Sequence, residues 1–262
     1  MDIDLNADLG EGYGPWRMGE DEALLELVSS ANVACGFHAG DPVIMERTVR
    51  TAQARGIDVG AHVGFPDRQG FGRRPMQIDS AELASFVVYQ LGALAGIARA
   101  AGYRMTHMSF HGALGNMAAA DAALAEPLVR AVADFDPALI VSSSTSRAIE
   151  NAAARCGLRV ATTFLADRAY DDEGLLVPRK LPGAVITDEA AVLKRVRRLL
   201  TEGSVLTHSG NTLAMNARSI LLHGDTPGAV ALARTIRGEI EAAGGRIVPI
   251  SRQLGQAARL HS

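Results

Sequence analysis

Short apolar or β-branched runs recur along the chain. Each is followed by a polar loop and then by a stretch whose apolar positions return every three or four residues. "IDLNAD" (3–8) is followed by a helical pattern from about Glu20 to Ser30, and "ANVAC" (31–35) by one from Pro42 to about Arg55. "IDVGAH" (57–62) leads through a long loop to a helix from about Ser80 to Ala101. "MTHMSF" (105–110) leads through the loop "HGALGN" to a helix from about Asp121 to Ala133, and "ALIVSSS" (138–144) precedes one from about Thr145 to Arg155. "LRVATT" (158–163) leads through a second long loop to a helix from about Asp188 to Thr201. "SILLHGD" (219–225) precedes a helix from Pro227 to about Ala243, and "RIVPI" (246–250) closes the series. Strands that alternate with helices must run parallel, with the helices as crossovers. Eight such units predict an α/β fold, an irregular (β/α)7-8 TIM-like barrel, with an open doubly wound sheet as the alternative. The 262 residues fit one barrel domain, 1–262. "SVLTHSG" (204–210) reads as an extra hairpin or irregular strand.

Composition narrows the class. Hydrophobic residues at 48% and charged residues at 21% are those of an ordinary globular protein. A net charge of −3 gives no reason to expect nucleic acid or an anionic membrane as partner. The most apolar long window, Phe86 to Tyr103, contains Gln90 and Arg99 and reads as a packed helix, not a membrane span. The acidic N-terminus lacks the basic start of a signal peptide. Cys35 and Cys156 lack metal-pair spacing and read as reduced thiols of a cytoplasmic protein.

Parallel α/β folds gather chemistry at the carboxyl ends of their strands. Here the first strand end offers Asn6, Asp8 and Glu11, the second His38 and Asp41, and the third His62 and then Asp67. The fourth offers His111 and Asn116, the sixth leads into Asp167 and Arg168, and the seventh gives His223 and Asp225. Four of the 7 histidines therefore lie just past strands. One such histidine is more often structural than catalytic; four on one rim read as a site.

"HAGDP" (38–42) and "HGDTP" (223–227) both end at a helix start, where Pro is favoured and Asp or Thr caps free N–H groups. Capping accounts for Asp41 and Thr226 but not for the histidines. The same amides can bind an anion. The long loops 62–76 and 165–184 carry Arg68, Arg73, Arg74, Arg168, Arg179 and Lys180. Loops of this length are usually functional or disordered. The bland reading of each cation is a solvated loop charge; Arg73 and Arg168, nearest the rim, are the choices for anion contacts. A Walker loop is absent.

The blocks "DLNADLGEG", "SANVACGFHAGDP", "GAHVGFPD" with "FGRR", "HGAL" with Asn116, "ADRAY", "VPR" with "GA", and "HGDTPGA" resemble the LamB/YcsF family, in order, from residue 2 to about 250. The resemblance implies a barrel related to the glycoside hydrolase and polysaccharide deacetylase folds. It implies ATP-dependent opening of the lactam 5-oxoproline to glutamate, with ATP and Mg²⁺ and with partner subunits B and C; a homo-oligomer is left open. Carried onto matching positions, it makes Asp8, His38, His62, His111, Asp167 and His223 the catalytic set. Asn6, Glu11, Asp41, Asp67, Arg73, Arg168, Arg179 and Asp225 become binding or supporting residues. The chain departs from the family pattern at Val63, at Ser109 and Phe110 where Lys-Pro is usual, at Gly115 for Tyr, and at Thr163 for Glu. The missing lysine and glutamate read as a charge pair across neighbouring strands, lost together.

A lactam is a resonance-stabilised amide. Opening it calls for an activated amide oxygen, cations or N–H donors for the anions, and a base near neutrality for water. Histidine supplies the base, and the arginines and helix starts supply the anion contacts. Asp8 and Asp167 would orient a histidine or hold Mg²⁺. Two alternatives stand beside this reading. One is metal-dependent deacylation at a zinc held by Asp8, His62 and His111. The other is a divergent protein that acts on another lactam, or a scaffold that performs no chemistry.

Overall fold

The computed structural model describes residues 1–255; residues 256–262 of the expected domain lie outside the described residues. The elements run β1 (Asp2–Leu9), α1 (Asp21–Leu24), β2 (Ser30–Ala34), α2 (Pro42–Arg55), β3 (Asp58–Val63), α3 (Ser80–Ala100) and β4 (Met105–Phe110). They continue α4 (Gly112–Ala120), α5 (Ala122–Phe135), β5 (Ile140–Ser143), α6 (Arg147–Arg155), β6 (Arg159–Leu165) and α7 (Glu189–Glu202). The last are β7 (Ser204–Leu206), β8 (Thr212–Ala214), β9 (Ser219–His223), α8 (Ala229–Ala242), β10 (Arg246–Ile247) and α9 (Ile250–Gln253). Strands β1 to β6 and β9 form a parallel sheet that closes where β9 pairs with both β6 and β1. The result is a TIM-like barrel of seven strands.

Three elements differ from expectation. The helix expected over 20–30 is a single turn, α1, because Ser29 and Ser30 are taken into the sheet. The Ser29 amide donates to the Leu5 carbonyl at 2.8 Å, and both hydroxyls donate to Asp4. The expected loop "HGALGN" is helix α4, packed so closely that a Cβ at Gly115 would lie 2.5 Å from the Phe110 carbonyl oxygen. The expected eighth strand, "RIVPI", pairs only Arg246 and Ile247 with Asp2 and Ile3 at the outer start of β1. Pro249, without an N–H, cannot extend it, and the chain turns into α9. The 204–210 segment is, as expected, part of a hairpin, β7–β8.

The apolar core lies between sheet and helices. Leu5, Ala7, Val33, Val59 and Ala61 face outward onto residues such as Val49, Leu91 and Ile236. Helix α3 is long and apolar enough to cross a membrane by length and composition. Here it turns Leu83, Val87, Leu91 and Leu94 inward, while Gln90 makes paired 3.0 Å hydrogen bonds with the backbone of Gly64. Cys35 and Cys156 are unpaired thiols.

The barrel interior, by contrast, is largely polar. At its amino-terminal end Asp4 accepts from the hydroxyls of Ser29, Ser30 and Ser219 at 2.6–2.7 Å. Helix α9 plugs that end. Ile250 packs on Ile140 and Ala161, and Ser251 donates its amide and hydroxyl to Asp58 at 2.7 and 2.9 Å. Arg159 ties the plug down by donating to the Leu254 carbonyl at 2.7 Å. Ile250→Ala is expected to destabilise the fold by about 2–4 kcal/mol, read as a lower urea midpoint with unchanged slope. A midpoint like that of the unaltered protein would show that the plug contributes nothing.

Candidate active site

The carboxyl ends of the strands form the opposite mouth. Paired positions on neighbouring parallel strands point the same way, so the pairings Asp8 with Asn32, Ala34 with His62, and His62 with Ser109 put these side chains on the inner face. Gly60 leaves the space that His107 fills: a Cβ there would sit 2.2 Å from the ring.

Three imidazoles meet at this mouth. His38 and His111 stack with centroids 3.8 Å apart, and His62 stands edge-on to both. His62 Nε2 and His111 Nδ1 are 2.9 Å apart, and His62 Nδ1 is 2.7 Å from the Ser109 hydroxyl. His111 Nε2 donates to the Phe71 carbonyl at 2.8 Å. Phe71 is the one non-glycine residue with positive φ (54°) among those described, and its loop is bent to present that carbonyl. The His111 tautomer is thereby set with a lone pair on Nδ1, so His62 donates to it from Nε2. Burial holds the His38 and His111 rings well below the usual imidazole range, and neighbouring imidazoles push the same way. Glu11, 3.3 Å from His38 Nε2, is raised well above the carboxylate range by burial and by Asp8 and Asp225.

A second pair stands across Asp8. His223 Nδ1 lies 2.8 Å from both oxygens of Asp167 and donates to them, leaving Nε2 toward the cavity, 3.4 Å from Arg179 and 4.0 Å from Asp8. Burial opposes a charge on His223, but Asp167 and Asp8 outweigh it and raise the ring above 6.5. Burial also opposes ionisation of Asp167 and Asp8. His223 overcomes it at Asp167, and His62 with His223 overcome it at Asp8, so both stay below the ordinary carboxylate range.

Of these groups, Asp8, His62, His111 and His223 line a cavity of about 600 Å³ together with Ser142, Ser143, Ser144 and Thr163, while His38, Glu11 and Asp167 lie behind it. Arg73, Arg168, Arg179 and Lys180 also line it. Not all of these cations are free. Arg73 pairs with Asp225 at 2.9 Å, and Arg168 donates to the carbonyls of Ala184 and Val177, holding its own loop. Arg74 is paired with Asp67, and Arg68 donates to the Gly36 carbonyl over the ring of Tyr13.

Of the remaining expected residues, Asp41 caps α2 through the amides of Val43 and Ile44 and does not line the cavity. Asn6 lies one layer deeper, with its amide 3.4 Å from Asn32 Oδ1. The expected charge-pair positions, Ser109 and Thr163, are not on neighbouring strands: β5 separates them, and Thr163 instead bonds Ser142 of β5 at 2.8 Å. Sequence reasoning passes over Asn32 and His107. The alternation His107-x-Ser109-x-His111 on one strand is the available signal.

The donors also fit a divalent cation, in a cluster that differs from the expected trio of Asp8, His62 and His111 by holding Glu11 and His38. Glu11, His38, His62 and His111 each offer one ligand atom, all within 4.8 Å of one another. The donor set is of the imidazole–carboxylate kind that zinc and its neighbours favour, and His38 Nδ1 is buried without a partner. The His62–His111 separation of 2.9 Å is shorter than the roughly 3.3 Å between two nitrogens on one tetrahedral zinc. The pair would open slightly to hold it.

The model of the LamB/YcsF family matches residues 3–255. The chain is 73% identical over 255 residues to a protein of Ralstonia nicotianae named as a 5-oxoprolinase A subunit, covering 97% of this chain and 98% of that one. It superposes on the crystal structure of a lactam utilization protein from Thermus thermophilus with TM-score 0.88 and 41% identity, covering 94% of this chain and 99% of that one. A peptidoglycan N-acetylglucosamine deacetylase shares the fold at TM-score 0.51 and 10% identity, covering 99% of this chain and 90% of that one.

The His223–Asp167 pair has a signed pH signature. His223, raised above 6.5, contributes stability that is complete below that pH and lost as pH rises through its folded-state value. Asp167, held below 3.8, contributes stability above that pH that is lost as pH falls through its folded-state value. Asp167→Asn is expected to lower the His223 titration midpoint in histidine-ring NMR and to flatten the loss of thermal stability above pH 6.5. An unchanged midpoint would refute the pairing.

Proposed function

The chain belongs to the LamB/YcsF family, and on that premise we propose that it is the A subunit of an ATP-dependent 5-oxoprolinase. In this reading it opens 5-oxo-L-proline to L-glutamate in the cytoplasm, together with subunits B and C. The relatives' names support a role in lactam use. The observation that carries the reaction chemistry is an oriented base. Asp167 grips one nitrogen of His223 and leaves the other facing a cavity that Asp8, Arg179 and Lys180 also line.

ATP with Mg²⁺ would supply a phosphoryl group to the amide oxygen and so make the ring carbon electrophilic; once water has added, the ring C–N bond breaks with a proton passed to the nitrogen, and the acyl phosphate left behind is hydrolysed to carboxylate and phosphate. Arg179 and Lys180 are suited to the phosphates of ATP, and the Arg73–Asp225 pair lies at the same mouth. His223 Nε2 takes the proton from the attacking water, and Asp167 stabilises the imidazolium that forms. Asp8 lies close enough to both His223 and His62 to hold positive charge between them. The chain Ser109–His62–His111–Phe71 carbonyl fixes the opposite wall.

A second reading, metal-dependent deacylation, is favoured by the four-ligand cluster, now with Glu11 and His38 in place of Asp8. A bound divalent ion would lower the pKa of its water to about 7. Elemental analysis separates the two readings, since stoichiometric zinc retained through dialysis supports the second.

Reconstitution with subunits B and C is expected to give ADP release that depends on 5-oxoproline. His223→Ala should reduce it by on the order of 10²-fold or more. Turnover that survives this substitution would remove the proposed base.

A further inference from the structure

One layer below the imidazole cluster, a line of buried groups leads to Asp8; Asn32 reaches the cavity, while Asn6, Thr106 and His107 do not. Asp8, as a carboxylate, can only accept hydrogen bonds. Asn32 lies 2.9 Å from its Oδ1 and must therefore present its NH₂ there, because a carbonyl oxygen at that distance would face another acceptor. This leaves Asn32 Oδ1 as an acceptor for the Asn6 amide at 3.4 Å and for His107 Nε2 at 3.0 Å. His107 must then carry its proton on Nε2, and its Nδ1 accepts from the Thr106 hydroxyl at 3.0 Å. Every donor in the line follows from the charge on Asp8. With Oδ1 held, Oδ2 is turned to His62 at 3.4 Å and to His223 at 4.0 Å.

A histidine that merely filled space would need no such partners, and an apolar side chain would fill the same space without an N–H to satisfy. Instead the neighbouring strand β3 carries glycine at position 60, where a Cβ would meet the His107 ring at 2.2 Å. We propose that His107 is a positioning residue which, through Asn32, fixes the Asp8 carboxylate between His62 and His223. Its effect on turnover rests on the lactam-opening reading above; its effect on the geometry of Asp8 does not.

The test compares His107→Leu with His107→Gln, whose side-chain amide can return a donor to Asn32. In the reconstituted complex the leucine variant is expected to lose on the order of 10²-fold in kcat with KM little changed, and the glutamine variant to recover most of it. Crystal structures should show the Asp8 carboxylate rotated in the leucine variant and in place in the glutamine variant. A folded leucine variant with Asp8 and Asn32 unmoved would overturn the proposal, as would equal kcat for both variants and the unaltered protein. If the leucine variant does not fold, ring ¹⁵N resonances decide. The unaltered protein should show His107 in the Nε2–H form alone, and Thr106→Val should leave that form in place, because Asn32 sets it. A ring found in the Nδ1–H form in the unaltered protein sinks the idea. Should the wild-type complex open no lactam, the functional reading fails while the crystallographic and NMR outcomes still decide the role of His107.

Discussion

A carboxylate buried at the centre of a barrel stays ionised only if donors and positive charge surround it. Asp8 is in that position, and much of the molecule can be understood as what it requires. Asn32 must show it an amide, and that sets the tautomer of His107. Its other oxygen draws His62 and His223 toward it from opposite sides. His223 in turn holds Asp167, and His62 holds both Ser109 and His111. Parallel strands make this possible, because they bring residues distant in sequence to one level of the barrel with their side chains inward.

The same requirement explains an unusual division of labour. A TIM barrel is commonly filled by layers of branched apolar side chains. Here Asp4, Asn6, Asn32, His107 and Asp8 occupy much of that space, each bonded to another inner polar group. Cohesion comes from the outer layer, where sheet and helices bury an apolar core of mostly aliphatic residues. The cluster of His38, His62 and His111 is compact because two of its rings are neutral, so their close approach avoids repulsion between imidazolium charges.

The strand–loop–helix order and the gathering of Asp8, His38, His62, His111 and His223 at one mouth are legible in the sequence, since parallel topology puts strand ends together whatever the intervening chain. Other features are not. The helical period of "ALLELV" promises a helix to Ser30, but the serines there are claimed by Asp4 in the sheet. Arg168 looks like an anion contact in sequence; its guanidinium instead binds backbone carbonyls, partners that carry no side-chain signature. Asn32 and His107 are hidden because they sit mid-strand in apolar runs, where only the alternation of faces marks them as inward. The departures at Ser109 and Thr163 look adjacent on a count of motifs, yet an intervening strand parts them.

Helix α9 follows all seven barrel strands in the chain, and it stoppers the end where Asp4 and Asp58 lie buried. Until that turn docks, water can reach those carboxyls from below. During biosynthesis the staves can therefore assemble around a hydrated channel, and drying of that end must wait for one of the later segments to leave the ribosome.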